Sequence, residues 1–188
     1  VLAEGKTILR TAAMEPEIPA LASFLNVCGA RIRGAGTSTL EVEGTGGRLL
    51  RAAENFKMIP DRIEAGSFLI LGAALARGDS LRVSRCRPEH LTAAIAALRD
   101  AGAKIEVGED WVTVRRPDKL LAVNIQTREY PGFPTDLQAP FAALMTQAEG
   151  ESMIFETIFE NRFGYVEDLK RMGANIFLAD PHRIVIKG

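Results

Sequence analysis

The chain has 188 residues, 47% of them hydrophobic and 25% charged, which is enough apolar material for one large core or two small ones and too much for a disordered segment. Its formal net charge of -1 gives no overall pull toward nucleic acid or an anionic membrane, and no apolar run approaches the roughly 18 residues of a membrane span, so a cytoplasmic protein is expected. Cys28 and Cys86, with no Cys-x-x-Cys pair, indicate neither a disulfide framework nor a zinc site and read as buried thiols.

In chain order, Gly5-Lys6-Thr7-Ile8 leads into a helical pattern that stops at Gly29-Ala30-Arg31-Ile32, followed by short strands around Gly34-Ala35-Gly36-Thr37. That turn has the glycines of a phosphate loop but no following Lys, and it lies in a hairpin, so it reads as a β-turn. Gly44-Thr45-Gly46-Gly47 reads as a linker. The pattern then predicts a strand over 49–54, a helix over 64–76, a strand over 80–84, a helix over 89–100 and a hairpin of strands 104–107 and 111–115. The same order returns: strand 121–125, helix 137–147, strand 151–158, helix 165–172, and a hairpin of 175–179 and 183–187 around Asp180-Pro181-His182.

This recurrence is an internal repeat. Gly29-Ala30, Gly102-Ala103 and Gly173-Ala174 each close a helical pattern and stand roughly 72 residues apart, and Gly5, Gly78 and Gly150 keep nearly the same spacing upstream. The expected fold class is α/β, built from tandem βαβαββ units. The first unit is half finished at Val1, so the chain is expected to belong to a longer one.

The stretch richest in chemistry runs from Tyr130 to Phe163. Tyr130-Pro131-Gly132-Phe133-Pro134-Thr135-Asp136 is a proline-stiffened loop that delivers Thr135 and Asp136 to a helix start, where either side chain is expected to cap free N–H groups. Ile158 and Phe159 read as the buried end of a strand, and Arg162 as a solvated charge or a partner for Glu160. Pro140 falls in the first helical turn, where its missing N–H costs little. Arg62 and Glu64 open another helix as capping and dipole residues or as an interlobe hinge pair. His90 and His182 have no metal-ligand neighbours in the sequence, and Trp111 reads as a half-buried packing residue.

Phe133-Pro134-Thr135-Asp136-Leu137-Gln138, Glu160-Asn161-Arg162-Phe163 and Ile59-Pro60-Asp61-Arg62-Ile63-Glu64-Ala65-Gly66 together resemble the UDP-N-acetylglucosamine enolpyruvyl transferases, over essentially all of the chain. The resemblance implies two lobes, each an inside-out α/β barrel of three such units, with substrates in the cleft between them. Residues 1–60 would then be the end of the first lobe, and residues 61–188 two units of the second. It implies transfer of the enolpyruvyl group of phosphoenolpyruvate to the 3-hydroxyl of UDP-N-acetylglucosamine in peptidoglycan precursor synthesis, with release of phosphate. No metal and no cofactor would be needed.

On this resemblance Asp136 is the general base for the attacking hydroxyl, Thr135 stands beside it, the backbone at Ile158 and Phe159 helps hold the sugar nucleotide, and Arg162 lies near the sugar or phosphates. The partners implied are the two small-molecule substrates and the remainder of a parent chain, with no nucleic acid or membrane. The family's Lys-Asn pair, its loop cysteine and several phosphate-binding arginines have no counterpart here, so the chain alone is expected to be inactive. A shikimate-pathway enolpyruvyl transferase and a non-catalytic βαβ-repeat binding module are the alternatives.

Overall fold

The computed structural model describes residues 1–75 and 78–188. Three helices end in the same way, which is what the recurring Gly-Ala pairs encode: α1 (Glu17–Val27), α3 (Thr92–Asp100) and α5 (Val166–Arg171). Past each end Gly29, Gly102 and Gly173 adopt φ of +98°, +91° and +96°, a region that glycine enters without strain. The next N–H, of Ala30, Ala103 or Ala174, then reaches back to the carbonyl of Leu25, Leu98 or Leu169 at 2.9, 2.9 and 3.0 Å, closing a Schellman cap each time.

Each cap turns the chain into a hairpin that joins the strand preceding the helix. In the first of two compact units, Val1–Ile59, β1 (Lys6–Arg10), β2 (Arg31–Arg33) and β3 (Thr39–Glu43) form an antiparallel sheet in the order β1-β3-β2. Gly34 and Thr37 close its hairpin with a bond of 3.0 Å between the Thr37 N–H and the Gly34 carbonyl. The glycine-rich stretch 44–47 is not a linker. The N–H groups of Gly44, Gly46 and Gly47 donate to the carbonyls of Gly5, Ala3 and Leu2, so the stretch is tied into the first unit, and the boundary falls between Ile59 and Pro60.

The strand expected over 49–54 is absent. Leu49 stays 76% exposed, and among the described residues the segment has no ladder partner, its backbone bond to neighbouring structure running from the Arg51 N–H to the Cys28 carbonyl at the end of α1. An apolar run without a hydrogen-bonded neighbour has nothing to make it a strand.

The second unit, Pro60–Gly188, holds two sheets and one apolar core. β4 (Ser80–Ser84), β5 (Lys104–Val107) and β6 (Trp111–Arg115) pair antiparallel in the order β4-β6-β5. β7 (Ile125–Gln126), β8 (Glu151–Phe155), β9 (Asn175–Asp180) and β10 (Arg183–Lys187) follow as β7-β8-β10-β9, with only β7 parallel to its neighbour. The expected helix 64–76 is α2 (Arg62–Ala74); its expected end at Ala76 lies outside the described residues. The expected helix 137–147 is α4 (Gln138–Met145), entered through a 3-10 turn at Thr135–Leu137, and a second 3-10 turn at Pro88–His90 precedes α3.

The architecture is therefore α/β in repeated units, with helices packed on largely antiparallel sheets. α2 begins at Asp61, whose carboxylate accepts from the N–H groups of Ile63 and Glu64 at 2.7 and 3.1 Å. Two glycines let it pack closely. A Cβ on Gly66 would meet Leu137 Cδ1 at 2.5 Å, and one on Gly72 would meet Val114 Cγ1 at 2.4 Å and Leu81 Cβ at 3.0 Å. Gly72→Ala gains up to about 1 kcal/mol of helix propensity but overpacks a contact between helix and sheet, at about 1–3 kcal/mol. The net expectation is a lower midpoint in chemical denaturation; a raised midpoint would show that α2 moves away from the sheet at little cost.

Candidate functional site

β8 alternates outward and inward through Ser152 and Ile154, and the next inward position is Glu156, a carboxylate with no exposed surface. A buried charge is costly unless every lone pair finds a donor. Here five donors converge. Oε1 accepts from Thr127 Oγ1 at 2.9 Å and from the N–H groups of Ile158 and Phe159 at 2.8 and 3.1 Å. Oε2 accepts from Thr135 Oγ1 at 2.7 Å and Gln138 Nε2 at 3.0 Å.

These bonds end β8 three residues before the sequence pattern does, because the backbone that would continue the ladder folds back onto its own carboxylate. They also change the expected roles of Thr135 and Asp136. Neither caps α4; the N-terminal positions of the 3-10 turn and of the helix carry no side-chain cap. Thr135 is instead spent on Glu156, and Asp136 points outward between that residue and the buried pair Leu137 and Gln138.

Asp136 Oδ1 lies 3.2 Å from Arg162 Nη1, so Arg162 pairs with Asp136 and not with Glu160. The guanidinium also lies 4.8 Å from the centre of the Phe159 ring. Asn161, at φ +58°, makes the turn that leads into Arg162, a conformation Asn tolerates better than most side chains. Thr135, Asp136, Ile158, Phe159 and Arg162 are thus all brought together, 21 to 26 residues apart in sequence for the pairs Thr135–Glu156 and Asp136–Arg162. Ile158 and Phe159 are half-buried and exposed, not the sealed end of a strand. Since both their N–H groups serve Glu156, the backbone group of Ile158 without a hydrogen bond among the described residues is its carbonyl.

Further layers hold the centre. The Thr157 N–H donates to Thr127 Oγ1 at 2.9 Å, and the Thr157 hydroxyl donates to the Thr127 carbonyl. Tyr165 Oη donates to Gln138 Oε1 at 2.7 Å, which turns the amide so that its nitrogen faces Glu156. His182 Nδ1 meets the Glu156 carbonyl at 3.2 Å, and the Glu156 N–H donates to the His182 carbonyl at 2.8 Å. Arg62 lies over the Tyr130 ring at 5.8 Å and Glu64 sits in the first turn of α2; these two take no part in the cluster around Glu156. Among the described residues no group of three or more His, Cys, Asp and Glu could hold a metal, and no helix is long and apolar enough to cross a membrane.

A family model described as EPSP synthase (3-phosphoshikimate 1-carboxyvinyltransferase) matches residues 1–187. The chain belongs to the EPSP synthase family. Within that family it is 52% identical over 177 residues to a UDP-N-acetylglucosamine 1-carboxyvinyltransferase of Acidobacterium capsulatum, covering 94% of this chain and 39% of that one. It is 49% identical over 185 residues to the protein of the same name from Halothermothrix orenii, covering 98% and 43%. The enolpyruvyl transferase NikO from Streptomyces tendae matches with a TM-score of 0.82 at 28% identity, over 98% of this chain and 43% of that one. An EPSP synthase from Acinetobacter baumannii, at a TM-score of 0.64 and 20% identity over 99% and 43%, shares the fold. The chain spans less than half the length of the curated relatives it matches.

Membership of the EPSP synthase family leaves Glu156 to be explained on its own chemistry, and sequence reasoning assigned it no role. The available signal was the alternation of β8, which places Glu156 on the same face as Ser152 and Ile154. Burial pushes its carboxyl up, but the hydrogen bonds from Thr135, the backbone of Ile158 and Phe159, and Thr127 outweigh burial and hold it below the ordinary glutamate value. Burial, and then the Glu156 charge, push the Tyr165 phenol up, so it remains a donor.

A carboxyl whose folded value is depressed stabilises the protein fully above the unfolded value, about 4.3, and that contribution is lost as pH falls through the folded value. The difference in unfolding midpoint between the unmodified protein and Glu156→Gln should therefore be constant above about pH 4.3 and shrink on further acidification. A difference that widens in acid would show a raised carboxyl instead.

Proposed function

We propose that this chain is part of an enzyme that transfers the enolpyruvyl group of phosphoenolpyruvate to the 3-hydroxyl of UDP-N-acetylglucosamine, a cytoplasmic step in peptidoglycan precursor synthesis. Residues 1–60 close one lobe of that enzyme, and residues 61–188 supply two units of the other. The observation that carries the reading is the meeting of Asp136 and Arg162 beside the turn at Ile158 and Phe159. The relatives named UDP-N-acetylglucosamine 1-carboxyvinyltransferase, 52% and 49% identical to this chain, support the choice of sugar nucleotide.

In this reaction Asp136 takes the proton of the sugar hydroxyl as the oxygen bonds to C2 of phosphoenolpyruvate and the C2=C3 pair takes up a proton at C3. The elimination that follows removes a proton from C3, restores the double bond and breaks the C2–oxygen bond to release phosphate. Asp136 is suited to this because its side chain is 55% exposed and, among the described residues, one of its oxygens is held, by Arg162, and the other is not. Arg162 supplies positive charge near the incoming sugar nucleotide, and it can exchange its exposed partner for a ligand oxygen at little cost. The Ile158 carbonyl is an acceptor, matched to a hydroxyl or amide N–H of the sugar, and Thr135 fixes the backbone beside the base. Bound metal has no assigned role in this scheme.

Phosphate release from phosphoenolpyruvate and UDP-N-acetylglucosamine, by the protein made from its complete reading frame, tests the reading. Asp136→Asn should lower kcat by about 10²–10⁴-fold, the usual contribution of a positioned base. The 188-residue chain alone should release none. Turnover of shikimate 3-phosphate in place of the sugar nucleotide, or undiminished rates in Asp136→Asn, would overturn the assignment.

A further inference from the structure

The repeat contains its own control for Glu156. β1, β4 and β8 occupy the same place in their units, and the residues that immediately follow them are Thr11, Arg85 and Glu156. After β1 and β4 the chain turns through a left-handed residue, Thr11 at φ +51° and Arg85 at φ +57°, and both side chains are exposed. A turn at this place therefore needs no carboxylate. After β8 the turn is made around a buried carboxylate, which demands five donors to offset its desolvation.

Those donors come from the two segments that carry the proposed ligand contacts. Thr135 and Gln138 bracket Asp136 on the 3-10 turn and the start of α4, while the N–H groups of Ile158 and Phe159 form the turn leading to Arg162. Thr127, beyond β7, braces the same oxygen as that turn and is itself braced by the Thr157 N–H. Resting on the function proposed above, we infer that Glu156 is a positioning residue for the sugar nucleotide: it clamps the Asp136 segment to the 158–162 turn, fixing the distance between the base and the Ile158 carbonyl. Having no exposed surface, it acts only through the groups it holds. Its loss loosens the groups assigned above to the sugar, none of which is assigned to phosphoenolpyruvate.

The test is steady-state kinetics on the protein from its complete reading frame, with the KM of each substrate measured separately. A purely structural lesion lowers the concentration of active enzyme, which scales kcat and leaves both KM values alone. Glu156→Gln keeps the volume but turns an amide N–H₂ toward donors; it should raise the KM for UDP-N-acetylglucosamine about tenfold or more, as misplaced positioning groups do, with the KM for phosphoenolpyruvate changing less than about twofold.

Should Glu156→Gln lose its cooperative thermal transition, Thr127→Val carries the same test. It removes a single donor from the clamp and should raise the same KM severalfold, and Thr127→Ser, which keeps the hydroxyl, should reverse most of that rise. Unchanged KM values, a parallel rise in both, or no difference between the valine and serine variants would overturn the positioning role while leaving the proposed reaction standing. Absence of turnover by the unmodified protein would instead overturn the proposed reaction, and this inference with it.

Discussion

A carboxylate sealed from water sets the terms for everything around it, because its charge must be balanced locally by donors that can hold no other position. Glu156 meets that demand with hydroxyls from Thr127 and Thr135, the Gln138 amide and two backbone N–H groups. The set favours the ionised state. A neutral carboxyl could donate only to a threonine hydroxyl that turned to accept, since the Gln138 amide nitrogen and the two backbone N–H groups are fixed donors, and the amide's direction is set further out by Tyr165, whose phenol donates to the Gln138 oxygen. Thr127, the 135–138 turn and the turn at Ile158 and Phe159 are thereby held by one side chain, and the cost of separating any of them is an unsatisfied buried charge.

The frame beneath this centre explains why Asp136 faces outward. Leu137 is buried against α2 at Gly66, where the absence of a side chain lets the leucine approach, and Gln138 is buried by its bonds to Glu156 and Tyr165. With its two following neighbours anchored inward on a tight turn and Thr135 bonded to Glu156, Asp136 is left on the open side. Helix packing and the polar network thus orient the same four residues, one through shape and the other through hydrogen bonds.

Much of the fold was legible because it is written locally and three times over. The Gly-Ala pairs encode caps that use only residues within one helix end, and the hairpins over 104–107 with 111–115 and over 175–179 with 183–187 rest on alternation and short turns. The strand expected over 49–54 failed where the signal was propensity without a partner, since pairing is not a local property. In the candidate site, the residues Thr135, Asp136, Ile158, Phe159 and Arg162 were marked by their motifs, but their mutual contacts were not. The capping role expected of Thr135 and Asp136 is the default for those side chains at a helix start; it gave way to Glu156 and Arg162, partners more than 20 residues away. Glu156 itself could be found only by carrying the alternation of β8 one step past the last hydrophobic residue.

The two charged interactions in this cluster are of opposite kinds, and the difference bears on function. Asp136 and Arg162 form an ion pair whose side chains are 55% and 40% exposed, so solvent screens it and its net worth is about 0–1 kcal/mol. A ligand hydroxyl or phosphate can displace either partner without loss of structure. Glu156 has no such freedom, because opening any of its bonds exposes a charge to an apolar surround. On the function proposed above, this wall receives a substrate repeatedly and needs both properties at once: contacts that break cheaply at its surface, and a support beneath them that does not follow when they break. In this protein the separation between the two is a single layer of side chains, with Thr135 and the backbone of Ile158 and Phe159 fixed on the inner side and Asp136, Arg162 and the Ile158 carbonyl left for the outer.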